Sequence, residues 1–225
     1  MSVKKNLWAV LTSAGLAVFA IGGAPTAGAG TLDYSLTTCF AGNGSGCPTS
    51  APWGTVEVSS VSSTEISITV DLASGDVFSF GGAGKPLAFD LSLSGSQTVT
   101  ATLPSSGGWS FNQVPMTMLD GSGTWNDYFD YCPTNTTCGK GGTKGNISGP
   151  VTFYLTVSSG TITPQSFALN NKNNFFVSDI GMPNGSGFST GDVAAPTATP
   201  VPLPAAAWLL LNGLAGLGFI ARKRA

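Results

Sequence analysis

Polar and apolar residues alternate along much of the middle of this chain. Ile66, Ile68, Val70 and Leu72 are separated by Ser67, Thr69 and Asp71, and Leu87, Phe89, Leu91 and Leu93 by Ala88, Asp90 and Ser92. Val99, Ala101 and Leu103 alternate with Thr100 and Thr102, and Val151, Phe153, Leu155 and Val157 with Thr152, Tyr154 and Thr156. A period of two places successive side chains on opposite faces of a pleated strand, so each run predicts a strand with one packed and one wet face. Shorter runs predict strands at Thr55–Ser59, Val77–Phe80, Ser110–Asn112 and Phe175–Ile180. The pairs Ser74-Gly75, Ser94-Gly95 and Ser159-Gly160 predict tight hairpin turns. No stretch between residues 30 and 200 repeats its apolar positions at helical spacing over a useful length. The pattern predicts an all-β fold, an antiparallel β-sandwich over residues 30–191, with a barrel as the less favoured closure.

Two stretches interrupt the alternation. Gly121 to Gly149 holds two cysteines, several aromatics and acids, and reads as a long ordered excursion. Residues 192–200 turn to Ala, Pro and Thr, the composition of a semi-extended linker.

The ends of the chain follow a different pattern. Lys4 and Lys5 precede an apolar run from Leu7 to Gly23, and Ala27-Gly28-Ala29 fits the small-x-small cleavage rule. Residues 1–29 therefore read as a signal-peptide helix, cleaved after Ala29 so that the mature chain begins at Gly30. At the other end, Ala205 to Ala221 carries no charge and is followed by Arg222, Lys223 and Arg224. A helix of that length spans about 25 Å, a little less than a hydrocarbon core. Trp208 and the basic side chains can cover the difference at the interfaces, with the basic cluster on the cytoplasmic side. Pro202 and Pro204 stop this transmembrane helix from extending backwards.

Residues 201–225 closely resemble the PEP-CTERM sorting domain, in the variant with Val-Pro-Leu-Pro-Ala at its head. Val201, Pro202, Leu203, Pro204 and Ala205 form the motif, followed by the apolar span and the Arg222–Arg224 cluster. The resemblance implies recognition by exosortase, a membrane-embedded protease-transpeptidase, and cleavage near Pro204. It also implies an exopolysaccharide-producing Gram-negative host and delivery of the mature chain to the cell surface or extracellular matrix. The expected partners are the Sec translocon, signal peptidase, exosortase and exopolysaccharide, with membrane contact through the transient C-terminal helix.

Charge narrows the functional classes. The interval 30–204 contains all eleven carboxylates, four lysines and no arginine, giving a net charge of −7. Such a surface repels phosphate backbones, which excludes nucleic acid as an expected partner. The chain has no histidine, which removes histidine-dependent nucleophilic sites. Export makes disulfides the default for Cys39, Cys47, Cys132 and Cys138. Three connectivities are open, and the short separations favour Cys39–Cys47 with Cys132–Cys138.

Three chemical readings of the mature domain remain. Asp127 and Asp130 could act as paired carboxylates of a polysaccharide hydrolase. Asp120, Ser122, Thr124, Asn126, Asp127 and Asp130 supply oxygen donors for a calcium site, although the spacing departs from the EF-hand pattern. Trp53, Trp109 and Trp125 could stack on sugar rings. The reading that best fits the whole chain is a non-enzymatic exported protein without a cofactor. A calcium- or glycan-binding module is the alternative, and a hydrolase the second alternative.

Overall fold

The computed structural model describes residues 30–40, 51–80, 85–105, 107–118, 121–132, 143–144, 147–184 and 187–200. The expected signal peptide and sorting helix, with Ala27, Ala29, Val201–Ala205 and Arg222–Arg224, lie outside these residues, as do Cys47, Cys138 and Asp120.

The described chain is all-β with antiparallel pairing throughout, apart from one short 3-10 turn at Pro164–Ser166. The first sheet contains β1 (Thr31–Ser35), β3 (Gly54–Ser60), β4 (Glu65–Leu72), β7 (Val99–Thr102), β13 (Val151–Val157) and β17 (Ala198–Pro200). Its spatial order is β17-β1-β3-β4-β13-β7. The second sheet contains β2 (Thr38–Phe40), β5 (Val77–Phe80), β6 (Leu87–Leu91), β8 (Trp109–Asn112), β11 (Asp127–Tyr131), β12 (Thr143–Lys144), β14 (Phe167–Ala168), β15 (Phe176–Asn184) and β16 (Gly187–Ala195). β9 (Met116–Thr117) and β10 (Thr124–Trp125) form a separate small hairpin.

The alternating runs form strands for the reason anticipated. Val56 and Val58, then Ile66, Ile68 and Val70, then Phe153 and Leu155, are all fully buried, whereas their neighbours face outward. Both sheets contribute to one apolar core, the arrangement of a β-sandwich. Rings from opposite sheets meet at its centre. Phe129 stacks on Phe153 with centroids 3.9 Å apart, and Tyr34 meets Phe176 edge-on at 4.7 Å. The Tyr34 hydroxyl donates to the Pro164 carbonyl at 3.0 Å, so its polar end is satisfied inside the core.

The Ser-Gly pairs make turns but not hairpins. Gly75, Gly95 and Gly160 have positive φ, as sharp turns require. However, Ser74-Gly75 leads from β4 in the first sheet to β5 in the second, and Ser94-Gly95 leads from β6 back to β7. Both turns arch between sheets, because their flanking strands bury apolar faces against one shared core. The tight hairpins occur elsewhere, at β3–β4 and β15–β16.

The stretch read as an excursion supplies β10, β11 and β12, and the stretch read as a linker completes β16 and forms β17. In β11 the acids Asp127 and Asp130 obscured a regular alternation, in which Asp127, Phe129 and Tyr131 are buried. In the second case, Val193, Ala194 and Ala195 are fully buried, and Ala198–Pro200 pairs with Leu32–Tyr34 as an edge strand. An edge position tolerates proline, because one side of the strand needs no donors.

Candidate functional site

Strand geometry decides the fate of the paired carboxylates first. Asp127 and Asp130 are three residues apart on β11, so they project from opposite faces of the sheet. Asp127 is buried and accepts hydrogen bonds from the Leu91 amide at 3.1 Å and Gln113 Nε2 at 3.0 Å. Burial raises its pKa, the two hydrogen bonds oppose that rise, and Asp90 adds to it. Asp130 instead pairs with Lys85 at 2.6 Å, and the Lys85 ammonium lies 5.1 Å above the Tyr128 ring. These two carboxylates cannot flank one glycosidic bond.

The same geometry disperses the calcium donors. Ser122 donates to Asp192 Oδ2 at 2.6 Å, and Asn126 donates to Asp90 Oδ1 through its backbone and side-chain nitrogens. Among the described residues no group of three acids or cysteines is placed to hold a metal.

The tryptophans do not form a platform. Trp53, Trp109 and Trp125 are 7%, 8% and 0% exposed, each packed into a core by its apolar area. Cys39 and Cys132 are disulfide-bonded, and among the described residues no cysteine is free.

The outer face of the second sheet carries a polar cluster that was not anticipated. Asp179 and Asp192 are directly opposite one another in the β15–β16 register, and both are buried. Beside them Ala88, Val177 and Ala194 form a second apolar cluster with Met118 and Trp125. The loop from Gly121 to Thr124 is held over this face. Ser122 binds Asp192, Asn170 Nδ2 donates to the Ser122 carbonyl at 2.9 Å, and the Thr124 amide donates to Asn171 Oδ1 at 3.1 Å. Gly123 has φ +120°, and a Cβ there would collide with Asn170 and Asn171. The available signal in the sequence was an acid at position 179 within the otherwise apolar Phe175–Ile180 run.

Among the described residues, no segment covers the outer face of the first sheet. Aligned across it are Thr199, Asp33, Glu57, Thr69 and Thr152, then Thr31, Ser59, Ser67, Tyr154 and Thr102. Glu65, Asp71, Thr100 and Thr156 complete the pattern. None of the six strands contains Lys or Arg. Asp33 faces Glu57 directly, and its pKa is raised by burial first and by that like charge second. Tyr154 is 37% exposed, an aromatic ring open to solvent among hydroxyls and carboxylates.

Two clefts open at one end of this face. The larger, of about 530 Å³, is lined by Pro104, Tyr131, Ser148, Pro150 and Thr152 among others. The smaller, of about 300 Å³, lies between Pro52–Thr55 and Asp71–Ala73. Gly149, with φ +85°, brings the chain close to Val70 between them; a Cβ there would sit 3.1 Å from the Val70 carbonyl oxygen. In the turn after β4, Asp76 is 6% exposed, and burial pushes its pKa up to about 6.

No protein-family model matches the chain, and no curated protein or solved structure matches it.

Proposed function

We propose that this is a non-enzymatic exported protein, processed at both ends and delivered to the cell surface or extracellular polysaccharide matrix. The single observation that carries the reading is the tail: Val201–Ala205, the apolar run to Ala221 and the Arg222–Arg224 cluster, which resemble an exosortase sorting signal. The fold is compatible with it: among the described residues, regular structure runs from Thr31 to Pro200. β1 and β17 pair with each other, so the two ends of the described domain lie on neighbouring strands at one side of the first sheet. Cleavage at either end would leave the shared core intact. In this reading the Sec translocon, signal peptidase and exosortase handle the precursor, and Cys39–Cys47 and Cys132–Cys138 are the disulfides.

Replacing Val201–Pro204 by alanines tests the proposal. The expected result is a precursor that keeps its C-terminal segment and stays in the membrane fraction. Unchanged trimming and release would overturn it.

A further inference from the structure

We propose that the outer face of the first sheet, along β13, is a docking track for a linear polysaccharide bearing amino groups. Outward positions along β13 run from Thr156 through Tyr154 and Thr152 to Pro150 just before the strand, a line of roughly 20 Å at strand rise. It ends in the 530 Å³ cleft, whose lining includes Thr152, Pro150 and Tyr131. The line thus carries an open aromatic ring near one end, continues over hydroxyls and finishes in a cleft with two proline rings. A polymer of ring-shaped, hydroxyl-rich units matches that sequence of surfaces. Its apolar ring faces can lie on Tyr154 and the prolines, while its hydroxyls exchange hydrogen bonds with threonines, which both donate and accept.

Charge selects among polysaccharides. The track is flanked on β4 by Glu65 and Asp71, one towards each end, and Asp33 and Glu57 lie further across the same face. No cation on any of the six strands balances these four carboxylates. Like charges directly opposite across a sheet, as at Asp33 and Glu57, destabilise it. Protonated amines on a ligand lying along β13 would be attracted by Glu65 and Asp71 beside the track, whereas a uronate or sulfated chain would be repelled. Tyr154 replaces the buried tryptophans as the aromatic contact. The proposal rests on the export reading only for where the protein meets the polymer; binding itself is measured without it.

The test is isothermal titration of the full chain, purified in mild detergent, with three probes. These are chitosan fragments with protonated amines, neutral cello-oligosaccharides and a polyuronate. Chitosan is expected to bind most tightly, the neutral chain weakly and the polyuronate not at all. Tyr154→Ala should weaken chitosan binding about tenfold, and Tyr154→Phe should retain most of it. Glu65→Gln with Asp71→Asn should weaken binding and flatten its salt dependence. Asp90→Asn removes one charge from the other sheet and should leave binding unchanged. A chitosan titration without heat would overturn the track, as would equal binding of the polyuronate or neutral chain. Equal affinity of Tyr154→Ala, confirmed as folded by its melting curve, would also overturn it. None of these outcomes alters the processing experiment, so failure of the track and failure of the export reading remain distinct.

Discussion

The two sheets share one core yet treat their outer faces in opposite ways. On the first sheet every outward row is hydroxyl, carboxylate or tyrosine, its residues half-exposed or open to solvent. On the second, the outward positions Ala88, Val177 and Ala194 lie beneath Met118 and Trp125, and the buried acids Asp179 and Asp192 lie near the loop anchored by Ser122. An antiparallel strand needs only one apolar face, so a bare outer face is the default. Covering the second face required a hairpin, a glycine with positive φ and a buried polar network to anchor the cover. Among the described residues, the fold places its extra chain on one side and leaves the other uncovered.

The largest expected effect lies where the sheets meet. Phe153→Ala removes a fully buried ring stacked on Phe129 and should destabilise the domain by about 3–5 kcal/mol in chemical denaturation. Trp125→Ala, in the smaller apolar cluster, should reduce stability by about 3 kcal/mol, the lower end of the range for a buried aromatic. Its hydrogen-exchange signature should be local, with faster exchange around Met116–Trp125 and little change in β3, β4 and β13. Uniform acceleration across both sheets would show that the cover and the shared core are one cooperative unit.

Asp76 sharpens the comparison through pH. Its folded pKa of about 6 lies above the ordinary value of 3.8, so its stabilising contribution is complete below pH 3.8 and is lost as pH rises through 6. Asp76→Asn should therefore raise stability at pH 7 by about 1–2 kcal/mol, after allowance for partial solvation, and flatten the stability profile between pH 4 and 7. An unchanged profile would place the carboxylate in contact with water. The smallest effects belong to the bare face. Thr69→Val and Tyr154→Ala should each change stability by no more than about 0.5 kcal/mol, because neither side chain closes a core.

The same asymmetry explains what was legible in the sequence. The first sheet could be read from alternation in β3, β4, β7 and β13, because one wet and one dry face produce a strict period of two. The second sheet obscured that signal. Its middle strands are buried on both sides, so Val177, Ser178, Asp179 and Ile180 run together without alternation. β11 carries acids on both of its faces and resembled a polar loop. β16 and β17 are rich in Gly, Ala and Thr, a composition shared with linkers, and pairing with β15 and β1 defines them as strands. The candidate chemistry erred for a related reason. Nearness in sequence suggested that Asp127 and Asp130 act together, whereas a strand separates residues three apart onto opposite faces. The Asp179–Asp192 pairing is a long-range register that spacing alone could not reveal.

Carboxyl footprinting by carbodiimide coupling to an amine, read by mass spectrometry on the folded protein, tests the contrast between the faces most directly. Glu57 and Asp71 on the bare face should label rapidly, while Asp179 and Asp192 stay protected until the protein unfolds. Comparable labelling of all four in the native state would contradict the account, because it would leave the second sheet as open as the first.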